Sequence, residues 1–62
     1  MHSALSRYLL KNKITISELA RIVNRSQTTV YRHVYGHRRI SAEMALLYHD
    51  KLGIPLRELL EG

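Results

Sequence analysis

Apolar residues recur at three- and four-residue spacing along most of this chain, interrupted by short polar clusters, and that period predicts helices. Leu5, Tyr8 and Leu9 form a first stripe, widened by Leu10, with Ser3 placed to cap its start. The stripe fades at Lys11–Asn12–Lys13, where cations suit a helix C-terminus and Asn12 suits a left-handed exit. Thr15-Ile16-Ser17-Glu18 then spells a capping box, in which the threonine hydroxyl accepts from the glutamate N–H and the glutamate carboxylate reaches back to the threonine N–H. A short second helix follows with Leu19, Ala20, Ile22 and Val23 inward, and Ile14 is placed to staple onto Leu19. Asn24 fits a left-handed turn position and Ser26 a new N-cap, so only a tight turn separates this helix from the next.

The stretch SQTTVYRHVYG, residues 26 to 36, is rich in β-branched and aromatic residues and reads as a strand by propensity. Its period says otherwise. As a strand it shows Gln27, Thr29, Tyr31, His33 and Tyr35 on one face and Thr28, Val30, Arg32 and Val34 on the other, and neither face is cleanly apolar. As a helix it puts Val30 and Val34 on one face, Tyr31 and Tyr35 beside them, and turns Gln27, Thr28 and Arg32 elsewhere, with Gly36 as its stop. Beyond a basic loop, His37 to Ile40, Ser41 caps a fourth helix with Glu43 in its first turn. Its buried side is Ala45, Leu47, Tyr48 and Leu52, with Met44 and Leu46 near the edge. Gly53 ends it, Ile54 suits the contact that follows such a glycine, and Pro55 opens a last helix carrying Leu56, Leu59 and Leu60. The expected architecture is all-α, five short helices in one domain over residues 1 to 62.

With 62 residues and no cysteine, the chain has a small core and no disulfide or structural zinc to reinforce it, which favours a partner subunit. No stretch is long and apolar enough to span a membrane, and Arg7 and Lys11 break up any signal-peptide centre, so a cytoplasmic setting is expected. Charge changes the picture more. Residues 1 to 39 carry eight Lys/Arg against Glu18 alone, whereas residues 40 to 62 carry two against four acids. A basic two-thirds joined to a slightly acidic end fits a polyanion-binding face backed by another surface.

Ala20 in the second helix, the turn Asn24–Arg25–Ser26, Gln27 opening the next helix and Val30 three residues later have the spacing of a helix-turn-helix. With one helix before and two after, and with the closing LGIPLRELLEG, the chain resembles the phage repressor and Cro family (lambda-repressor-like, XRE type) over roughly residues 3 to 61. The resemblance implies a five-helix lambda-repressor-like fold with the helix-turn-helix at about residues 16 to 36. It also implies a recognition helix that enters the major groove. By the same resemblance Gln27, Thr28 and Arg32 fall at base-reading positions, with Tyr31 at the edge of that set. Their chemistry agrees: Gln pairs bidentately with adenine, Arg with guanine, and the Thr methyl with a thymine methyl. Phosphate contacts are expected from Ser17, Arg25, Thr29, Tyr35, His37, Arg38 and Arg39.

Three departures from the family pattern stand out: Asn24 replaces the usual turn glycine, His33 replaces an apolar residue, and Leu9 with Val34 replaces the arginine–glutamate pair of some relatives. His33 and His37 are four residues apart, but a helix stop lies between them and no third ligand accompanies them, so no metal is expected. Nothing assembles a catalytic set or a glycine-rich phosphate loop, so neither an enzyme nor a cofactor or small-molecule substrate is expected. The expected function is a Cro-like repressor that binds a pseudo-palindromic duplex operator as a homodimer, Cro-like because no second domain is evident. The dimer contact is expected at exposed parts of Met44, Tyr48, Leu56 and Leu60. The rival readings are an antitoxin-type protein-interaction module and an architectural or excision DNA-binding factor.

Overall fold

Every helix start foreseen with a hydroxyl cap carries one in the computed structural model, which describes residues 3 to 61. Among these residues lie five helices: α1 (Ala4–Asn12), α2 (Ile16–Val23), α3 (Gln27–Val34), α4 (Ala42–Leu52) and α5 (Leu56–Glu61). The hydroxyls of Ser3, Thr15, Ser26 and Ser41 accept from the N–H groups of Ser6, Glu18, Thr29 and Met44 at 3.1, 3.1, 3.2 and 3.2 Å. Glu18 completes the capping box by accepting from the Thr15 N–H at 3.0 Å. Thr15→Ala should therefore lower stability by about 0.5–2 kcal/mol in a urea titration. An unmoved midpoint would mean that packing alone holds α2.

The exits are equally local. Lys13, Asn24 and Gly36 adopt left-handed φ values of 54°, 56° and 72°. After each, the next residue's N–H turns back to the helix: Ile14 to Leu9, Arg25 to Ala20 and His37 to Arg32, at 3.2, 3.0 and 2.9 Å. The first exit falls on Lys13 and not on Asn12, whose side-chain amide instead donates to the Tyr8 carbonyl at 2.9 Å. That local bond keeps Asn12 helical and passes the positive φ to its neighbour.

Packing joins α1 to α3 and α5, α2 to α3 and α4, and α4 to α5. The core is Ala4, Leu5, Leu19, Ala20, Val23, Val30, Val34, Ala45, Tyr48, Ile54 and Leu59. Leu10 and Ile22, both expected to face inward, are exposed instead, at 67% and 44%. At about 100° per residue, Leu10 falls on the side of α1 opposite Leu5 and Tyr8, and Ile22 lies about 60° outside the arc shared by Leu19, Ala20 and Val23. Leu60 is likewise turned outward, while Leu59 is buried and Leu56 half-buried.

The Ser3 hydroxyl does more than cap. It donates to the Val34 carbonyl at 2.8 Å, tying the start of α1 to the end of α3. An Arg7–Glu58 pair at 3.1 Å links α1 to α5, but both side chains are well exposed and contribute little to stability.

Candidate nucleic-acid interface

The α2–turn–α3 unit is built so that α3 must present one face outward. Ala20 is buried and small where α2 meets α3, and Val30 and Val34 lock α3 onto the core. That orientation leaves Gln27, Thr28, Tyr31, Arg32 and Tyr35 on the exposed side. Ser17, Arg25, His37, Arg38 and Arg39 are exposed as well, and Thr29 is half-buried.

Two depressions flank α3 and take in Gln27, Thr28, Thr29, Tyr31, Arg32, Arg38 and Arg39 of this set. One, of about 370 Å³, is lined by Ile16, Gln27, Thr28 and Tyr31. Gln27 is held in place there, since its side-chain N–H donates to the Ser17 hydroxyl at 3.2 Å across the turn. The other, of about 220 Å³, is lined by Thr29, Arg32, His33, Arg38, Arg39, Ser41 and Met44. Three arginines line it and no acidic residue does. The capped start of α4 at Ser41 adds the partial positive charge of a helix N-terminus. A polyanion can be held here by charge-assisted bonds, while the first depression offers apolar contact and an amide.

Tyr35 and His37 lie outside both depressions but against Tyr31. The Tyr31 and Tyr35 rings are 4.6 Å apart between centroids, and His37 lies 6.0 Å from Tyr31 with nearly parallel planes. The Arg25 guanidinium spends one donor on the Asn24 carbonyl at 3.0 Å. Thr29 shares a 2.8 Å bond with the Ser26 hydroxyl, so part of its hydrogen-bonding capacity serves the cap.

His33 and Tyr48 form the polar centre of the module. Nδ1 of His33 and the Tyr48 hydroxyl share a buried hydrogen bond of 2.8 Å, and the rings meet edge to face. Burial, reinforced by the nearby Arg38 charge, holds the His33 imidazole below its ordinary pKa of 6.5. Burial also pushes the Tyr48 phenol up to about 12, against the opposing pull of Arg25. Both rings are thus neutral at neutral pH, and together they bolt α3 to α4. Tyr48 has no exposed surface. It cannot contribute to a dimer contact as expected, because its hydroxyl finds its partner inside the protein. Met44 is half-buried beside the basic depression, which limits what it can offer a second subunit.

Ile16 and Ser41 line the two depressions, although the sequence pointed to neither as a contact residue and read Ser41 only as an N-cap. The only hint for Ile16 was an apolar residue at the first position of a helix, where side chains are commonly polar. No group of His, Cys, Asp and Glu among the described residues is arranged to hold a metal ion. No helix among them is long and apolar enough to cross a membrane.

An all-α unit with a buried alanine at the α2–α3 crossing, a left-handed turn residue and an outward-facing third helix is a helix-turn-helix of the DNA-binding class. The family model described as helix-turn-helix matches residues 5–59, and the chain belongs to that family, the XRE type to which Cro and lambda repressor are similar. The family is one of DNA-binding transcription regulators. No curated protein and no solved structure matches the chain significantly.

Proposed function

We propose that this protein is a sequence-specific repressor of the Cro type, which occupies a pseudo-palindromic operator as a homodimer and blocks polymerase there, in the cytoplasm of a bacterium or phage host. Residues 1 to 62 act as one DNA-binding unit. The observation that carries this reading is the segregation on α3: Gln27, Thr28, Tyr31 and Arg32 face outward, beside a depression lined by Arg32, Arg38 and Arg39 and by no acidic residue. In this reading Gln27, Thr28 and Arg32 meet base edges, with Tyr31 at their margin. Ser17, Arg25, Thr29, Tyr35, His37, Arg38 and Arg39 meet phosphates, and the basic depression receives one of them. The second subunit docks through the outward Leu60, the half-buried Leu56 and the rim at Met44. Two recognition helices then lie about one helical turn of DNA apart.

Selection of bound duplexes from a random pool, followed by titration at several salt concentrations, tests this. The expected result is a palindromic consensus with two half-sites, and an affinity whose logarithm falls with log salt by about 0.9 per phosphate contact. A pool that shows no enrichment, with binding no tighter than to competitor DNA, would overturn the repressor reading.

A further inference from the structure

His33 sits between two surface depressions and has one ring nitrogen without a partner. It lines the basic depression and also a second, of about 260 Å³, on the α5 side, and Arg38 and Arg39 line both. The residue is only 6% exposed. Its Nδ1 shares the 2.8 Å bond with the Tyr48 hydroxyl, and that bond decides where the ring proton lies. Tyr48 is wholly buried, and among the described residues its hydroxyl hydrogen has no acceptor other than Nδ1. The phenol therefore donates, Nδ1 accepts, and the neutral imidazole carries its proton on Nε2. Among the described residues Nε2 makes no hydrogen bond, yet no buried side-chain nitrogen or oxygen there lacks a partner. Nε2 thus belongs to the small part of the ring that reaches the surface, where Arg38 and Arg39 are its neighbours.

We propose that His33 is a phosphate ligand: its Nε2–H donates to a DNA backbone phosphate held by Arg38 and Arg39 at the wall the two depressions share. The inference rests on the DNA-binding role proposed above and adds to it a ligand from the inward side of α3. A ring already fixed by the Tyr48 bond and by its edge-to-face contact has little freedom left to lose on binding. The arginines supply charge, and one fixed N–H adds direction to it. The charged and titratable groups facing the imidazole are Tyr48 from α4, Arg32 from α3, and Arg38 and Arg39 from the loop, while α5 brings only Leu59 and Leu60. Burial and the Arg38 charge oppose protonation of the free ring. A phosphate placed among these arginines sets a negative charge against the ring, so the complex takes up a proton on His33 at a higher pH than the free protein does.

Two measurements on the duplex recovered by selection test this. In the first, each backbone phosphate is replaced in turn by an uncharged methylphosphonate, and affinity is measured at constant salt and pH 7.5. Wild type is compared with His33→Leu/Tyr48→Phe, which removes both polar groups together and so leaves neither buried alone. At one phosphate per half-site the replacement should cost wild type about five- to tenfold more than it costs the variant, the worth of one hydrogen bond to a charged group. If both proteins lose the same factor at every phosphate, and the variant melts cooperatively, His33 only packs; the proposal is overturned and the repressor reading survives. The second measurement needs no variant. The His33 imidazole is titrated by NMR in the free protein and in the complex, and it should titrate at least about one pH unit higher in the complex. A midpoint that stays put or falls on binding means that no phosphate reaches the ring, which also overturns the proposal. If no duplex is bound specifically, both readings fall together.

Discussion

Arg32→Ala should lose about 1–3 kcal/mol of discrimination at one or two base pairs per half-site, with much less effect on competitor DNA. Arg38→Ala should behave differently, weakening every duplex by a similar factor and flattening the salt slope by about one. The contrast has a structural basis. Both side chains line the same depression, but Arg32 projects from α3 itself, whereas Arg38 sits on the loop beyond Gly36. A guanidinium on the helix can reach down to a guanine edge, and one on the loop reaches the phosphates that border the groove. Titrating each variant against the selected duplex and its single-base-pair changes separates the two roles. Identical behaviour of the two variants on every sequence would sink the division.

The second large effect concerns stability. Removing either partner of the His33–Tyr48 bond leaves the other polar group buried without its partner, so His33→Leu should cost about 1–3 kcal/mol at pH 7.5. The double variant His33→Leu/Tyr48→Phe removes both polar groups and should recover most of that loss. Acid supplies an independent check. The folded pKa of His33 lies below its unfolded value near 6.5, so the unfolded chain takes up the proton first. The stabilisation due to neutral His33 is complete above that value and is lost as pH falls from about 6.5 toward the folded pKa. Urea midpoints of wild type and double variant should therefore converge, or cross, between pH 7.5 and 5. A constant gap over that range would show that His33 is not held neutral by the fold.

How much of this was legible in the sequence depended on the distance over which each feature is decided. Thr15 with Glu18, Asn24 and Ser26 with Thr29 act within a few residues, and their types alone announced the caps and the turn. The outward set Gln27, Thr28 and Arg32 followed from helical period once Val30 and Val34 were assigned inward. Misjudgements arose where a short helix leaves the flank of its apolar arc undecided, as at Leu10 and Ile22. Tyr48 was expected on the buried side of α4 and is buried there, but its hydroxyl's partner was hidden, since a tyrosine within an apolar stripe can lie with its hydroxyl in water or in the core. The partner that draws it inside, His33, lies 15 residues away on another helix. The division of the surface into an uncharged shallow depression and a basic one depends on how α2 and the loop after α3 lie against α3, which no local pattern records.

α3 has only eight residues, and three of them, Val30, His33 and Val34, are buried. On the DNA-reading role proposed for α3, a lineage that shifts this protein to a new target works through a handful of outward side chains, chiefly Gln27, Thr28, Tyr31 and Arg32. A library confined to those positions should yield altered preferences in well-folded proteins. Randomising the inward trio would mostly select for folding and reveal little about recognition. The module is thus partitioned into a small variable alphabet and a fixed mount, and its capacity to evolve new specificities is set by the size of the former.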